Sequence, residues 1–486
     1  MSEALGEKTV KGVFWSSIER FSSQIVFFLV TLILARYLTP DDFGLIGMLV
    51  VFLAVAQSLI DSGFSLALIR KQNRNNIDNS TAFYFNILTS MLVYLFLYVI
   101  APWVSVFFHE PRLTDVMRAL CILVVINSFA IIQRVQFTSI VNFRVQAKAT
   151  AIAATLAGVV AIILAVKGAG VWAVVCQLLL NSVLNTLLLW FYSSWRPLLI
   201  FSWKSFKELY LFGFNLMVVG IIEALYQNSY QIFIGRFFSA ANLGHFTQAK
   251  TFVNFPSANL SNVISRVTYP IMSKIQDDNE RLSEVYRRLA RVIAFGVFPM
   301  MCGLAALAFP VIHVFLGSQW HFSAILMVPL SFSFMFYPIH SINMNVLQVK
   351  GKSKLYLKSE IIKKVISIAF LVGTIPFGII LMCYGRIVSS ILTLLVNMFY
   401  TSKEIEVSLF ALIKDIMPVL GLSFTMYGVV WWIASCFNNV YVQLGLGITV
   451  GILLYLGGAY LLKIKELDYF FLLTKKLKNY GIKRFY

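Results

Sequence analysis

Charge is scarce in this 486-residue chain. Asp, Glu, Lys and Arg together make up 13% of it, against 59% hydrophobic residues. Soluble globular chains carry about 25% charge, so a water-facing surface is excluded for most of this protein and lipid is the expected solvent. Paired cysteines are also missing. The five, Cys121, Cys176, Cys302, Cys383 and Cys436, all lie in apolar stretches without a CxxC spacing, which excludes a disulfide framework or a zinc knuckle and leaves them as small hydrophobes. His109, His245, His313, His321 and His340 are scattered and form no HExxH motif, and neither a GxSxG elbow nor a P-loop occurs. No catalytic residue, metal or cofactor is therefore expected, and any transport has to be passive or driven by an ion gradient. Gly168-Ala169-Gly170 lacks the third glycine of a nucleotide fingerprint and reads as a tight turn.

What is present is a basic excess of +19 distributed in short clusters between apolar runs. Nucleic-acid binding needs a basic face on a soluble domain, so no nucleic-acid partner is expected. Spanning a bilayer takes about 20 mainly apolar residues. By that measure the chain is all-α and polytopic, with fourteen transmembrane helices near 12–36, 43–68, 81–107, 113–134, 147–166, 170–192, 209–234, 243–269, 290–311, 323–347, 355–375, 377–400, 411–435 and 440–462. The first helix follows Lys8 and Lys11 without a small-residue cleavage site, as expected of an uncleaved signal.

Lysine and arginine orient the bundle. With the N-terminus inside, the cytoplasmic loops and the C-terminal tail hold 29 of them, while the opposite loops hold only Arg36, Arg112, Lys167 and Arg236. This asymmetry places both termini in the cytoplasm. The tail from 463 to 486 mixes aromatics and leucines with lysines. It reads either as a basic amphipathic helix on the inner leaflet or as a disordered basic tail.

The chain also repeats itself. Arg36-Tyr37-Leu38-Thr39-Pro40-Asp41-Asp42-Phe43-Gly44 stands 200 residues before Arg236-Phe237-Phe238-Ser239-Ala240-Ala241-Asn242-Leu243-Gly244. A second echo pairs Gly170 and Phe191-Tyr192 with Gly378 and Phe399-Tyr400. Two parallel six-helix lobes in pseudo-twofold repeat follow, 1–195 and 208–402, joined by a cytoplasmic linker at 196–207. Two extra helices occupy 403–462. Such a duplication points to alternating access, with a substrate cavity between the lobes.

Polar groups inside the spans mark the walls of that cavity, because charge in a membrane is costly. Ser16, Arg20 and Gln24, with Glu19 beside them, form a stripe on the first helix. Gln57, Asp61 and Ser65 do so on the second, and Glu223, Gln227 and Gln231 on the seventh. The eighth, with Lys250 and Arg266 among many polar residues, is the most polar of all. Arg20, Lys250 and Arg266 are the expected anion contacts. Glu19, Gln24, Asp61, Glu223 and Gln227 are expected as cavity or coupling groups. Arg118, Lys363, Lys364 and Arg386 are further intramembrane cations that periodicity assigns to no face.

Ala35-Arg36-Tyr37-Leu38-Thr39-Pro40-Asp41-Asp42-Phe43-Gly44, Asp61-Ser62-Gly63-Phe64-Ser65, Asn142-Phe143-Arg144, Gly170-Val171-Trp172-Ala173, Ile234-Gly235-Arg236-Phe237-Phe238, Asn254-Phe255-Pro256-Ser257 and Glu360-Ile361-Ile362-Lys363-Lys364 follow one another in order. In this the chain resembles, over roughly residues 10–420, the Wzx-type polysaccharide transporters of the multidrug/oligosaccharidyl-lipid/polysaccharide (MOP) exporter superfamily. The resemblance implies a MATE-like two-lobed bundle in the bacterial inner membrane. It also implies export of an undecaprenyl-diphosphate-linked oligosaccharide for O-antigen, capsule or exopolysaccharide, alongside membrane lipids and polysaccharide polymerase or assembly proteins as partners. A multidrug or cation extruder and a peptidoglycan-precursor flippase remain as alternatives within the superfamily. A membrane-embedded polymerase would need a large outer loop, and the outer loops here are short.

Overall fold

Helix starts in this chain are written in capping residues. Thr39 opens a helix with Pro40 in its first position. Asp42 Oδ2 accepts from the Thr39 backbone N–H at 3.0 Å and from Thr39 Oγ1 at 2.9 Å, while the Asp42 N–H donates to Thr39 Oγ1 at 3.4 Å. This is a reciprocal capping box with proline where its missing N–H costs nothing. Asn75 and Asp78 build a second one, with contacts of 2.8 and 3.1 Å. Ser202, Asp278, Ser408 and Asn439 cap later helices through their side-chain oxygens.

The computed structural model describes residues 24–467 apart from Ser62, Gln72 and Val141, and the side chains of residues 262, 263, 266 and 267 are likewise not described. Among the described residues the chain is helical throughout, with no β-strand. Residues 24–37 form α1, followed by α2 (Pro40–Asp61), α3 (Phe64–Arg70), α4 (Asn76–Phe108), α5 (Leu113–Leu120), α6 (Ile122–Ser139), α7 (Phe143–Val166), α8 (Val171–Tyr192), α9 (Trp203–Gln227) and α10 (Ser229–Phe237). Then come α11 (Ala240–Ser273), α12 (Asn279–Ala306), α13 (Ala308–Phe315), α14 (His321–Phe334), α15 (Tyr337–Val349), α16 (Ser353–Thr374), α17 (Ile379–Glu404), α18 (Leu409–Ser435) and α19 (Val440–Leu461).

The fourteen apolar windows fall on helix wherever their residues are described, the first from Gln24 onward. Among the described residues eleven helical stretches are long and apolar enough to cross a membrane, fewer than the fourteen expected. The stretches 240–273 and 353–374 fall outside that number by their polar and charged residues. Helices run past the apolar windows by several residues at their basic ends: α4 starts at 76 rather than 81, and α12 at 279 rather than 290. Those extra turns are polar, so an apolar window leaves them out although they are helical.

Contacts divide the chain into two compact units, 1–247 and 248–486. In the first, α7 packs on α8, α4 and α6 pack together, and α2 lies along α9. The α7 face is an alanine ladder, Ala149, Ala153, Ala157, Ala161 and Ala165, all buried. With lipid as apolar as leucine, close backbone approach rather than hydrophobicity holds such helices together. At the end of α3 Lys71 bridges Asp78 and Glu208, each at 3.0 Å. Burial works to lower the Lys71 pKa, but the Glu208 and Asp78 carboxylates outweigh it and hold the ammonium above its ordinary value. At the other end of α2, Arg236 Nη1 donates to the Phe107 carbonyl and its guanidinium covers the Phe107 ring at 4.9 Å.

The two segments that repeat in sequence meet there. A Cβ on Gly44 would stand 1.9 Å from the Ala240 carbonyl oxygen, and a Cβ on Gly244 would stand 1.8 Å from the Pro40 carbonyl oxygen. Each glycine therefore touches the backbone of the residue four places before its repeat mate. The contact is reciprocal, and it is made of Cα–H groups against carbonyls.

In the second unit α12 packs on α18, α16 on α17 and α18 on α19. Arg287 grips Asp415 through two nitrogens at 2.6 and 3.0 Å, and Arg291 bridges Asp415 at 3.2 Å and Glu466 at 2.8 Å. The network ties α12, α18 and the start of the tail together. Tyr455 adds a hydrogen bond to the Phe295 carbonyl at 2.8 Å.

Alanine at Gly44 has to displace backbone. Overpacking costs about 1–3 kcal/mol, more than the ~1 kcal/mol that alanine returns in helix propensity. We therefore expect Gly44→Ala to lower the thermal midpoint of the detergent-purified protein. Gly457→Ala, whose Cβ would meet nothing within 4 Å, is expected to keep or raise it. Equal midpoints for the two variants would show that the glycine contact yields freely.

Candidate functional site

Neutral polar side chains run through the interior of the first unit. Asn127 on α6 donates to Gln57 Oε1 on α2 at 3.3 Å and accepts from Ser182 on α8 at 2.6 Å, so three helices share one hydrogen-bonded chain. Ser90 on α4 donates to Ser128 on α6 at 3.0 Å. Asn86 on α4 is fully buried, and its amide has no hydrogen-bond partner among the described residues. Beside this belt lies a cavity of about 370 Å³ lined by Gln24, Phe27, Thr150, Gln177 and Asn181. Only Gln57 and Gln24 of these groups stood out in the sequence. The others are isolated polar residues whose neighbours come from different helices, so no spacing along the chain reveals them.

The charged candidates are placed as follows. Gln24 is on the cavity wall. Asp61 sits at the junction of α2 and α3, where its Oδ1 accepts from the Ser65 N–H at 3.2 Å. Glu223 and Gln227 meet on α9, one turn apart, at 2.6 Å. Glu19 and Arg20 lie outside the described residues, and Arg266 is described only as backbone of α11.

Lys250 lies in the second unit, half-buried on α11, and Arg386 on α17 is close enough to act on its charge. Arg386 in turn covers the Phe334 ring at 4.7 Å. Nearby elements add His340, within 2.9 Å of the Asn397 amide, and Lys363, which pairs with Glu360 at 2.5 Å and acts on the His340 charge. Sequence periodicity gave Arg386 no face. In the structure α14 and α17 pack together, and the Arg386 guanidinium lies over Phe334 of α14.

Chemically, such an interior can hold and shield an anion. Two cations from different helices attract phosphate oxygens strongly where water is sparse. The amide belt of the first unit offers neutral donors and acceptors. Among the described residues no group of three His, Cys, Asp or Glu gathers in a metal-holding arrangement.

Comparisons with known proteins bear on family and fold. Among curated relatives, the chain is 24% identical to the lipopolysaccharide biosynthesis protein WzxC of Escherichia coli over 438 residues, 88% of this chain and 85% of that one. It is 25% identical to the succinoglycan biosynthesis transport protein ExoT of Rhizobium meliloti over 324 residues, and there the match spans about two thirds of either chain, 66%. In fold, it superposes on the lipid II flippase MurJ in an inward closed conformation with a TM-score of 0.74, at 15% identity over 92% of this chain and 98% of MurJ. On an inward-facing multidrug MATE transporter of the MOP superfamily the TM-score is 0.60, at 15% identity over 81% of this chain and 99% of that one. The sequence profile described as "Polysaccharide biosynthesis protein" matches residues 33–325. Its helical fold is thus like that of MOP transporters, and with more than half the chain inside that profile, this membrane protein belongs to the polysaccharide biosynthesis protein family.

Proposed function

We propose that this chain is a flippase that carries an undecaprenyl-diphosphate-linked oligosaccharide, a repeat unit of O-antigen, capsule or exopolysaccharide, across the bacterial inner membrane. The observation that carries the reading is the likeness to a lipopolysaccharide biosynthesis protein along 88% of the chain, joined to basic groups in the membrane interior. A lipid-linked sugar presents a diphosphate anion and many hydroxyls, which suits cations such as Lys250 and Arg386 and neutral amides such as Gln24 and Gln177. Arg20 and Arg266 extend the anion-binding set in this reading, while Glu19, Asp61, Glu223 and Gln227 stand as cavity or coupling groups.

Transport then runs by alternating access, with the repeats 1–195 and 208–402 as lobes, 196–207 as their linker, and 403–462 as an accessory pair of helices. Both termini face the cytoplasm on the lysine and arginine count. A polysaccharide polymerase and other assembly proteins take up the product on the far side.

Deleting the gene is expected to remove one surface polysaccharide and to build up its undecaprenyl-diphosphate oligosaccharide, measured by mass spectrometry of extracted lipids. An unchanged lipid-linked pool together with new sensitivity to cationic dyes would instead identify a drug extruder, and accumulation of lipid II a peptidoglycan-precursor flippase.

Reversing the charge at the anion site provides the residue-level test. Lys250→Glu and Arg386→Glu are each expected to cut export on the order of 100-fold, the scale on which buried charge contacts act, with the protein still inserted at normal levels. Lys167→Glu, on an exposed helix end, is expected to export normally. Normal export by the inserted Lys250→Glu protein would remove Lys250 from the anion site.

A further inference from the structure

Between α8 and α9 the sequence reads as a basic connecting linker, yet the structure gives it a different character. Residues 193–202 are not helical, and beyond exposed Ser194 and Arg196 the exposed side chains of 198–201 are all apolar. Leu199 is 94% exposed, and Leu198, Ile200 and Phe201 are exposed beside it. Trp203, the first residue of α9, is 71% exposed. Surface of this kind in water is an aggregation liability, and on a soluble face it marks an interaction site.

The segment is pinned at a definite depth. The Leu198 N–H donates to Ser80 Oγ at 2.9 Å, and the Ser202 N–H donates to Thr81 Oγ1 at 3.0 Å. Ser80 and Thr81 are the fifth and sixth residues of α4, roughly 6–8 Å along that helix from its start at 1.5 Å per residue. The apolar run of α4 begins at this same level. The connection therefore lies against the edge of the hydrocarbon slab rather than above it. At one end Arg196 tightens the segment on itself by donating to the Ser193 and Trp195 carbonyls at 2.6 and 2.8 Å.

At the other end the Trp203 ring stacks on Phe206 at 4.9 Å. Phe206 is itself locked against Phe85 at 4.8 Å and against the edge of the fully buried Phe64 at 6.2 Å. The platform is thus fixed from below. Its apolar surface continues the outward faces of the flanking spans, where Phe191 on α8 and Leu211 on α9 are 79% and 76% exposed. Lys204 and Lys207, both exposed, follow Trp203 directly and have no ion-pair partner among the described residues.

We propose that residues 198–203 form a wedge embedded in the adjoining membrane leaflet. Leu199, Phe201 and Trp203 sit among the acyl chains near the headgroup boundary, and Lys204 and Lys207 meet the phosphates of anionic phospholipids. Three features favour lipid over a protein partner. The depth is set by the Ser80 and Thr81 bonds, the apolar surface runs on into lipid-facing helix surface, and a tryptophan followed by lysines matches the order of groups across a membrane interface. The proposal is independent of what the protein transports.

Two measurements test it on the full chain. In the first, a nitroxide is attached at Leu199→Cys in a background free of the five native cysteines, and the protein is reconstituted in phosphatidylethanolamine–phosphatidylglycerol vesicles. Oxygen is expected to collide with the label more often than a water-soluble nickel chelate does, whereas a label at Glu406→Cys, on an exposed turn, shows the reverse. A label at 199 as open to nickel as the one at 406 overturns the wedge. In the second, which keeps all native cysteines, p-benzoylphenylalanine replaces Leu199 and is photolysed in cell membranes. Phospholipid adducts support the proposal. A discrete protein adduct without lipid adducts assigns the surface to a protein partner and overturns it.

Discussion

A backbone that crosses hydrocarbon has no water to satisfy its N–H and C=O groups, and everything else in this structure follows from that. Each crossing has to be helical, so the only freedom left lies in how helices begin, end and touch. Beginnings are fixed by side-chain oxygens at Thr39, Asn75, Ser202 and Asp278, which satisfy the first free N–H groups at the membrane edge. Contacts are fixed by size, since apolar side chains gain nothing by leaving lipid for one another. The alanine ladder of α7 and the glycines of α2 and α11 are the outcome.

The same constraint explains which polar groups survive inside. Asn127 is tolerable because Gln57 and Ser182 reach it from two other helices, and Asp415 because two arginines grip it. Lys250 and Arg386 bring two like charges near each other in the interior of the second unit, an arrangement that is costly in a medium poor in water.

Much of the architecture could be read from the chain because lipid imposes a one-dimensional signal. Apolar length located the helices, but it placed the second from 43, whereas α2 begins at Pro40 behind the Thr39–Asp42 cap, which hydropathy does not register. The ungapped match of 36–44 with 236–244 has a direct geometric counterpart in the reciprocal glycine contact. What lay beyond reach was of two sorts. Hydropathy sees only the slab, so the polar first turns of α4 and α12 read as loop, and Arg287 and Arg291 counted as loop cations although they are helical and paired with Asp415. Partnerships across helices were the other sort. Nothing in the spacing of Arg386 points to Lys250, and the amides around Asn127 belong to three helices far apart in sequence. For the 196–207 linker, likewise, the hydroxyls of Ser80 and Thr81 that bond its backbone are more than a hundred residues away.

The reciprocal contact between α2 and α11 has one more property. The four residues that make it are Pro40, Gly44, Ala240 and Gly244, and these are the side-chain types with no rotamer entropy to lose on burial. Parting the two helices at this point frees no side chain, and bringing them back freezes none. A junction of that sort has no conformational search to repeat at each closure. Its geometry is set by main chain at this crossing, and side chains of Leu243 and Thr247 join it only one turn on, at Gly47.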